Sequence, residues 1–80
     1  TYPNPSSGHT VFELSVPFES FVRLEVLDLM GRSVETLMSG RTGPGTYRIP
    51  FDVSDLTPGL YFYRYHLNQQ TVTRKMMVVR

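Results

Sequence analysis

Hydrophobic and polar positions alternate along this chain of 80 residues, and the longest apolar and aromatic run covers positions 59–65. Pro58 and Gly59 interrupt the chain at its start, and its aromatic content favours an extended conformation. Because the side chains of a strand point alternately to its two faces, the run divides into two sets. One face carries Leu60, Phe62 and Arg64, and the other carries Tyr61, Tyr63 and Tyr65. Both faces are largely apolar, so the pattern predicts a central strand that is covered on both sides.

The same alternation recurs in other short segments, separated by Gly, Pro, Asn and Ser. Together with the central strand they predict strands at residues 10–16, 21–29, 33–38, 47–53, 59–67 and 71–79. Segment 33–38 also has helical spacing, but it is too short for an uncapped helix and lies between Gly31 and Gly40. We expect a positive φ at Gly31, in the turn before it. Pro50 cannot donate a ladder hydrogen bond, so its strand is expected at a sheet edge or with a bulge.

Short strands, frequent turn signals and the lack of a convincing helix together predict the fold class. We expect an all-β domain, a small antiparallel immunoglobulin-like β-sandwich of six to seven strands. Residues 1–80 are expected to form a single domain, with 1–9 as an ordered N-terminal turn or linker end and 10–80 as the sandwich. The predicted core consists of inward-facing residues: Phe12, Leu14, Leu24, Val26, Tyr47, Ile49, Phe51, Leu60 and Phe62.

Composition narrows the function classes. Eight basic and seven acidic residues give a formal net charge of +1, which creates no field that would recruit nucleic acid or an anionic membrane. No apolar segment approaches the roughly 20 residues of a transmembrane helix, and the sequence starts with neither an initiator Met nor a signal-peptide pattern. The chain is therefore expected to be part of a longer protein. It has no Cys, which excludes disulfides and thiolate metal sites within this sequence.

The residues that could carry chemistry are few and scattered. His9 and His66 are the two imidazoles, and neither has a partner at metal-ligand spacing. Asp28, Asp52 and Asp55 stand near predicted strand ends, where an aspartate usually bonds to the backbone of a turn. No phosphate loop, serine elbow or cysteine nucleophile is present. We therefore expect no enzyme activity, no metal site and no cofactor.

The tyrosine face of the central strand offers one site-based alternative. Tyr61, Tyr63 and Tyr65 would stack on sugar rings if that face were open to solvent, and the domain would then be a carbohydrate-binding module. The competing interpretation is that the rings fill the core and send their hydroxyl groups to its rim. We favour the core, because Leu60 and Phe62 leave little polar surface on this strand.

Four short motifs, taken together and in this order, resemble one known family. They are Tyr2-Pro3-Asn4-Pro5, Val26-Leu27-Asp28-Leu29-Met30-Gly31-Arg32, Gly59-Leu60-Tyr61-Phe62-Tyr63 and Lys75-Met76-Met77-Val78-Val79-Arg80. The combination resembles the type A C-terminal sorting domain of proteins exported through the type IX secretion system of Bacteroidota-like bacteria, over essentially the whole chain. The immunoglobulin-like domain of flagellar-hook-capping proteins is a near relative, similar through the Pro-Asn-Pro and Gly-x-Tyr segments.

The resemblance implies that the domain is an address for protein export. It would fold in the periplasm of a diderm bacterium and be recognised by the outer-membrane translocon and sortase components of the type IX system. It would then be cleaved as its cargo is anchored at the cell surface or released. The cargo would be a covalently linked upstream domain, such as a glycoside hydrolase or protease. The motifs put forward these residues as the sorting signal: Pro3, Asn4, Pro5, Gly31, Arg32, Gly59, Tyr61, Tyr63, Lys75 and Arg80.

The last predicted strand is the part that a strand-capturing receptor would reach most easily, because it ends almost where the chain does. Lys75 and Arg80 flank its apolar residues, and they would serve equally well as charges that keep an edge strand from aggregating. Two other function classes stay open from the residues alone. These are a passive immunoglobulin-like spacer of an extracellular enzyme and the carbohydrate-binding module.

Overall fold

The computed structural model describes residues 8–79. This part of the chain contains six antiparallel strands. In chain order the strands are β1 (His9–Val16), β2 (Ser20–Leu27), β3 (Ser33–Thr42), β4 (Gly45–Asp52), β5 (Gly59–Leu67) and β6 (Gln70–Val78). β1 and β4 form a two-stranded sheet, and the other four form a sheet in the order β3-β2-β5-β6. The predicted small antiparallel β-sandwich is confirmed, and segment 33–38 belongs to a strand.

The core lies between the two sheets and is built from alternate residues of both. Its buried members are Phe12, Leu14, Val16, Val22, Leu24, Val26, Phe51, Val53, Met76 and Val78. Phe12 is central, because its ring centre lies 5.3 Å from that of Tyr63, edge to face, and 6.3 Å from that of Phe51. Five predicted core residues are thus buried, and the predicted Tyr47 and Ile49 are half-buried against them. Removal of this apolar surface from water supplies the main driving force for folding.

Two predicted core residues, Leu60 and Phe62, are misplaced. The tyrosines of β5 pack against the core, so these two residues lie half-buried on the outer face of the four-stranded sheet. The expectation of a strand covered on both sides is therefore wrong. Within residues 8–79, the two-stranded sheet packs on one face of the larger sheet and no strand packs on the other. β5 is nevertheless an inner strand, since it pairs with both β2 and β6.

β4 is an edge strand, as the proline in it predicts. Pro50 stands opposite Val11, and β1 is the one described strand that pairs with β4. The Val53 N–H donates to the carbonyl of Gly8 at 2.7 Å, so these two residues form a hydrogen-bonded pair. Hydrogen-bonded and non-hydrogen-bonded pairs alternate along an antiparallel ladder, which makes Val11 and Pro50 a non-hydrogen-bonded pair. The nitrogen of Pro50 therefore points away from β1, where no ladder hydrogen bond is lost.

The connections between strands gather at two opposite ends of the sandwich. One end, which we call the motif end, carries the start of β1, the turn at 28–32, the connection 53–58 and the end of β6. The opposite end carries the connections 17–19, 43–44 and 68–69. Residues 1–7 and 80 lie outside the described part of the chain. The predicted turn around Pro3, Asn4 and Pro5, the single-domain assignment and the role of Arg80 therefore stay predictions.

Phe12 and Phe62 offer a direct test of which face is the core. Phe12→Ala should lower the free energy of unfolding by about 3–5 kcal/mol, as expected for a buried phenylalanine. Phe62→Ala should cost less than half as much, because its ring is half-buried outside the core. Urea denaturation of both variants measures the difference. Equal losses would contradict the assignment of the faces.

Candidate functional site

A tight turn between β2 and β3 carries the second motif. Asp28 Oδ1 accepts hydrogen bonds from the backbone N–H groups of Met30 and Arg32, each at 2.9 Å. Asp28 Oδ2 accepts a third from Arg32 Nε at 3.0 Å. In the backbone, the Asp28 N–H donates to the Arg32 carbonyl at 2.9 Å and the Gly31 N–H donates to the Asp28 carbonyl at 3.0 Å. One aspartate thus fixes the whole turn, which explains the Asp-x-x-Gly-Arg spacing.

Gly31 has a φ of 83°, so its predicted positive φ is confirmed. No atom lies within 4 Å of the position where a Cβ would stand. The need for glycine therefore comes from the backbone conformation and not from crowding.

The hydrogen bonds of the turn also change the pKa of the Asp28 carboxyl group. The backbone hydrogen bond from Arg32, together with bonds from its side chain and from Met30, holds the pKa of Asp28 below its ordinary value and outweighs the opposing effect of burial.

The tip of this turn presents two large apolar side chains to solvent. Leu29 is 63% exposed and Met30 is 78% exposed. Neither belongs to the core, although the backbone beneath them is fixed by Asp28. This adjacent pair of exposed apolar side chains on a fixed turn is a candidate contact surface.

The start of β5 forms the other half of the motif end. Gly59 has a φ of 145°, a backbone conformation that favours glycine. The Tyr61 hydroxyl donates to the carbonyl of Thr57 at 2.7 Å, while its ring packs against the core. Tyr61 thereby fastens the connection 53–58 to the strand that follows it. The Gly-x-Tyr spacing is thus explained by one backbone requirement and one side-chain hydrogen bond.

An open cleft of about 310 Å³ separates the turn from the start of β5. It is lined by Asp28, Leu29, Met30, Arg32, Pro58, Gly59, Leu60 and Tyr61. Asp28 and Arg32 bring its two charges, which are paired with each other at 3.0 Å. The cleft therefore offers a largely apolar surface without net charge, suited to an apolar side chain of a partner.

The structure brings four of the predicted sorting-signal residues together at the motif end. Arg32, Gly59 and Tyr61 line the cleft, and Gly31 shapes the turn beside it. Their convergence joins two motifs that are about 27 positions apart in the sequence.

Other predicted residues lie elsewhere. Tyr63 is a core residue, with its ring against Phe12. Lys75 is exposed on β6, where it stands opposite Phe62 on the outer face. Pro3, Asn4, Pro5 and Arg80 lie outside the described residues.

Leu29 and Met30 were not put forward by the sequence as contact residues. The sequence did contain an indication, because Leu29 breaks the alternation of the predicted second strand. The rings of the β5 tyrosines pack against the core, as the favoured interpretation holds, although the Tyr65 hydroxyl is buried and does not reach the rim. Tyr61, Tyr63 and Tyr65 are half-buried against the core and do not form an open platform for sugar rings.

Glu25 forms a second polar feature that the sequence did not reveal. It faces away from the core, yet it is only 3% exposed. Its Oε2 atom lies 3.2 Å from an Arg64 guanidinium nitrogen, 3.5 Å from Arg23 Nε and 3.6 Å from His66 Nε2. Burial by itself raises the pKa of Glu25, but the hydrogen bond and charge of Arg64, with Arg23 and Ser33, outweigh it and hold that pKa below its ordinary value. This network ties β2 to β5.

Within residues 8–79, no three His, Cys, Asp or Glu side chains are placed to hold a metal ion. His9 Nε2 lies 3.9 Å from the Asp52 carboxylate, and His66 Nδ1 lies 3.0 Å from the Thr71 hydroxyl. No helix in this part of the chain is long and apolar enough to span a membrane.

Fold and site together define a class of small all-β domain whose distinctive surface is a fixed apolar turn beside an open cleft. The model of the secretion system C-terminal sorting domain family matches residues 1–79. The chain belongs to this family, and the resemblance to sorting domains of type IX secretion is confirmed. No curated protein matches the chain.

The turn conformation can be tested at Gly31. Gly31→Ala should lower the free energy of unfolding by about 1–2 kcal/mol, because an L residue resists a positive φ. Gly43→Ala is the matched control, since Gly43 has equally open surroundings and no positive φ. Thermal and urea unfolding measure both. A Gly31→Ala variant as stable as the Gly43→Ala variant would show that the turn has no such requirement.

Acid should weaken the fold through Glu25. Its pKa is lower in the folded chain than the ordinary 4.5, so the unfolded chain binds more protons between the two values. The stabilisation is therefore complete above 4.5 and is lost as the pH falls through the folded value. Melting temperatures should decline below about pH 5, and Glu25→Gln should make the decline shallower.

Glu13→Gln is the control for this titration, because the ion pair of Glu13 with Arg48 is exposed. It should keep the decline of the unsubstituted domain. A Glu25→Gln variant with the same decline would contradict the role of Glu25.

Proposed function

We propose that this domain is a non-catalytic signal that directs a covalently attached cargo across the outer membrane by the type IX system and leads to its anchoring at the cell surface. Membership of the sorting-domain family supports the coarser part, a C-terminal sorting signal for type IX secretion. The observation that carries the finer part is the convergence of Gly31, Arg32, Gly59 and Tyr61 at the motif end.

The motif end has the properties that a read-out surface needs. A translocon must recognise many different cargoes by one shared feature, so that feature has to be rigid and independent of the cargo. The turn is fixed by three hydrogen bonds to Asp28, and the opposing wall is fixed by the bond from Tyr61 to Thr57. Leu29 and Met30 then supply the apolar contact area between these fixed parts.

The proposed partners are the translocon and sortase components of the type IX system, together with an upstream cargo domain such as a glycoside hydrolase or protease. The translocon would place an apolar side chain in the cleft beside Leu29 and Met30. Lys75 would add charge on β6, whose last residue pairs with Gly59 at the motif end. Arg80, which lies outside the described residues, is proposed to add a second charge. The exported domain would reach the cell surface or the medium after transit through the periplasm.

Export of a reporter tests this proposal. Residues 1–80, fused behind a signal peptide and a fluorescent protein, should carry the reporter across the outer membrane of a host with a type IX system. The same fusion should stay in the periplasm of a host in which the translocon gene is deleted. A reporter retained in the periplasm of both hosts would overturn the proposal.

The surface assignment has its own pair of variants. Leu29→Ser with Met30→Ser should reduce export at least tenfold, while the melting temperature changes little because both side chains are exposed. Phe18→Ser is the matched control, since Phe18 is 60% exposed and lies at the opposite end. It should leave export unchanged. Normal export of the double variant would move recognition away from the motif end.

The two charges of the last motif can be separated from its apolar residues. Lys75→Ala with Arg80→Ala keeps the apolar side chains of β6, so the domain should stay folded. If these charges contribute to recognition, export of a folded double variant should fall severalfold. Unchanged export would leave them as gatekeepers against aggregation.

A further inference from the structure

A groove runs along the side of the sandwich, between β1 and β6, because a sheet of two strands faces a sheet of four. It has a volume of about 170 Å³ and is lined on the β1 side by Glu13 and Ser15. Tyr63 and Tyr65 of β5, with Val72 and Arg74 of β6, form its floor. The groove thus lies where a further strand beside β1 would complete the smaller sheet.

Both sides of the groove present backbone groups that no described strand pairs with. On β1, the hydrogen-bonded pairing of Gly8 with Val53 sets the alternation, so the amides of Glu13 and Ser15 point away from β4. On β6, Leu67 and Gln70 close a two-residue turn and form a hydrogen-bonded pair, from which hydrogen-bonded and non-hydrogen-bonded pairs alternate along the strand. Thr71 and Thr73 fall in the non-hydrogen-bonded pairs, so their amides point away from β5. An extended peptide in the groove can therefore extend the ladder of either strand.

Two side chains in the groove, Tyr65 and Val72, are only partly accommodated by the described residues. The Tyr65 hydroxyl is buried and has no hydrogen-bond partner among the described residues. Val72 is 42% exposed, although Met76 and Val78 on the same face of β6 are buried. Buried polar groups are normally hydrogen-bonded, and an uncovered apolar residue on the inner face of a sandwich normally has a layer above it. Both observations are what a groove that receives a further segment of chain would show.

We propose that the occupant is the linker that joins the domain to its cargo, lying extended in the groove as an additional strand. This inference rests on the proposed function, which places the cargo before residue 1. The chain enters β1 at Gly8, at the motif end. Seven extended residues reach at most about 25 Å, which is close to the length of the eight-residue β1. The linker is therefore within reach of the groove.

The groove defines the linker chemistry that fits. Alternate side chains of an extended linker would point inward, so every second residue should be apolar to cover Val72. A carbonyl or hydroxyl group would accept the hydrogen bond of Tyr65. A carboxylate would pair with Arg74, for which the described residues provide no ion pair. In this arrangement the sandwich is complete only while its cargo linker is attached.

Amide hydrogen exchange tests the proposal on the purified precursor, which carries cargo, its own linker and the domain. Exchange at Glu13 and Ser15, or at Thr71 and Thr73, should be at least tenfold slower in the precursor than in residues 1–80 alone. Equal exchange in both proteins would overturn the proposal. Protection in residues 1–80 alone that rises with protein concentration would assign the groove to a second copy of the chain and would also overturn it.

A paired substitution separates occupancy of the groove from general stability. Val72→Asp should change the melting temperature of residues 1–80 only slightly, but it should remove the slow exchange in the precursor. Val34→Asp is the matched control, because Val34 is 38% exposed on β3, away from the groove. It should affect neither readout. Retained slow exchange in the Val72→Asp precursor would overturn the proposal. These measurements need no secretion machinery, so a failure of this proposal can be distinguished from a failure of the proposed export function.

Discussion

A two-stranded sheet can cover only one face of a four-stranded sheet, and most features of this domain follow from that constraint. The covered face receives the tyrosines of β5 and the alternate valines and leucine of β2. The other face must then accommodate Leu60, Phe62 and the carboxylate of Glu25 without a second layer. Glu25 is satisfied there by Arg64, Arg23 and His66 from its own and the neighbouring strand. The same shortage of covering strands opens the groove beside β1.

The motif residues at the motif end each have a physical task in the fold. Asp28 and Gly31 build the turn, Gly59 allows the entry into β5, and Tyr61 secures the connection before it. None of these tasks requires Leu29 and Met30 to be large and apolar, because both are exposed. The structural residues thus hold in place two side chains that the fold itself does not use. This separation is the physical basis for placing recognition at the motif end.

The sequence predicts features that depend on neighbouring residues and fails where distant residues decide. Alternation identified the strands, and the local chemistry of Asp28 and Gly31 identified the turn. It could not choose the inner face of β5, because Leu60 and Phe62 are as apolar as the three tyrosines opposite them. It could not foresee the burial of Glu25, since Arg64 lies 39 positions further on. The ambiguous pattern of segment 33–38 arises from register shifts opposite Leu24 and Val26, which no local rule reveals. The cleft likewise depends on two distant motifs meeting in space.

Site-specific photocrosslinking tests the central claim, that the motif end is the surface that the secretion machinery contacts. A photoreactive phenylalanine analogue would replace Met30 in one exported fusion and Phe18, at the opposite end, in another. Irradiation of cells with an active type IX system should join the Met30-substituted protein to a translocon component, and the Phe18-substituted protein should give at most a trace of that product. Crosslinks of equal yield from both positions, or from position 18 alone, would contradict the account.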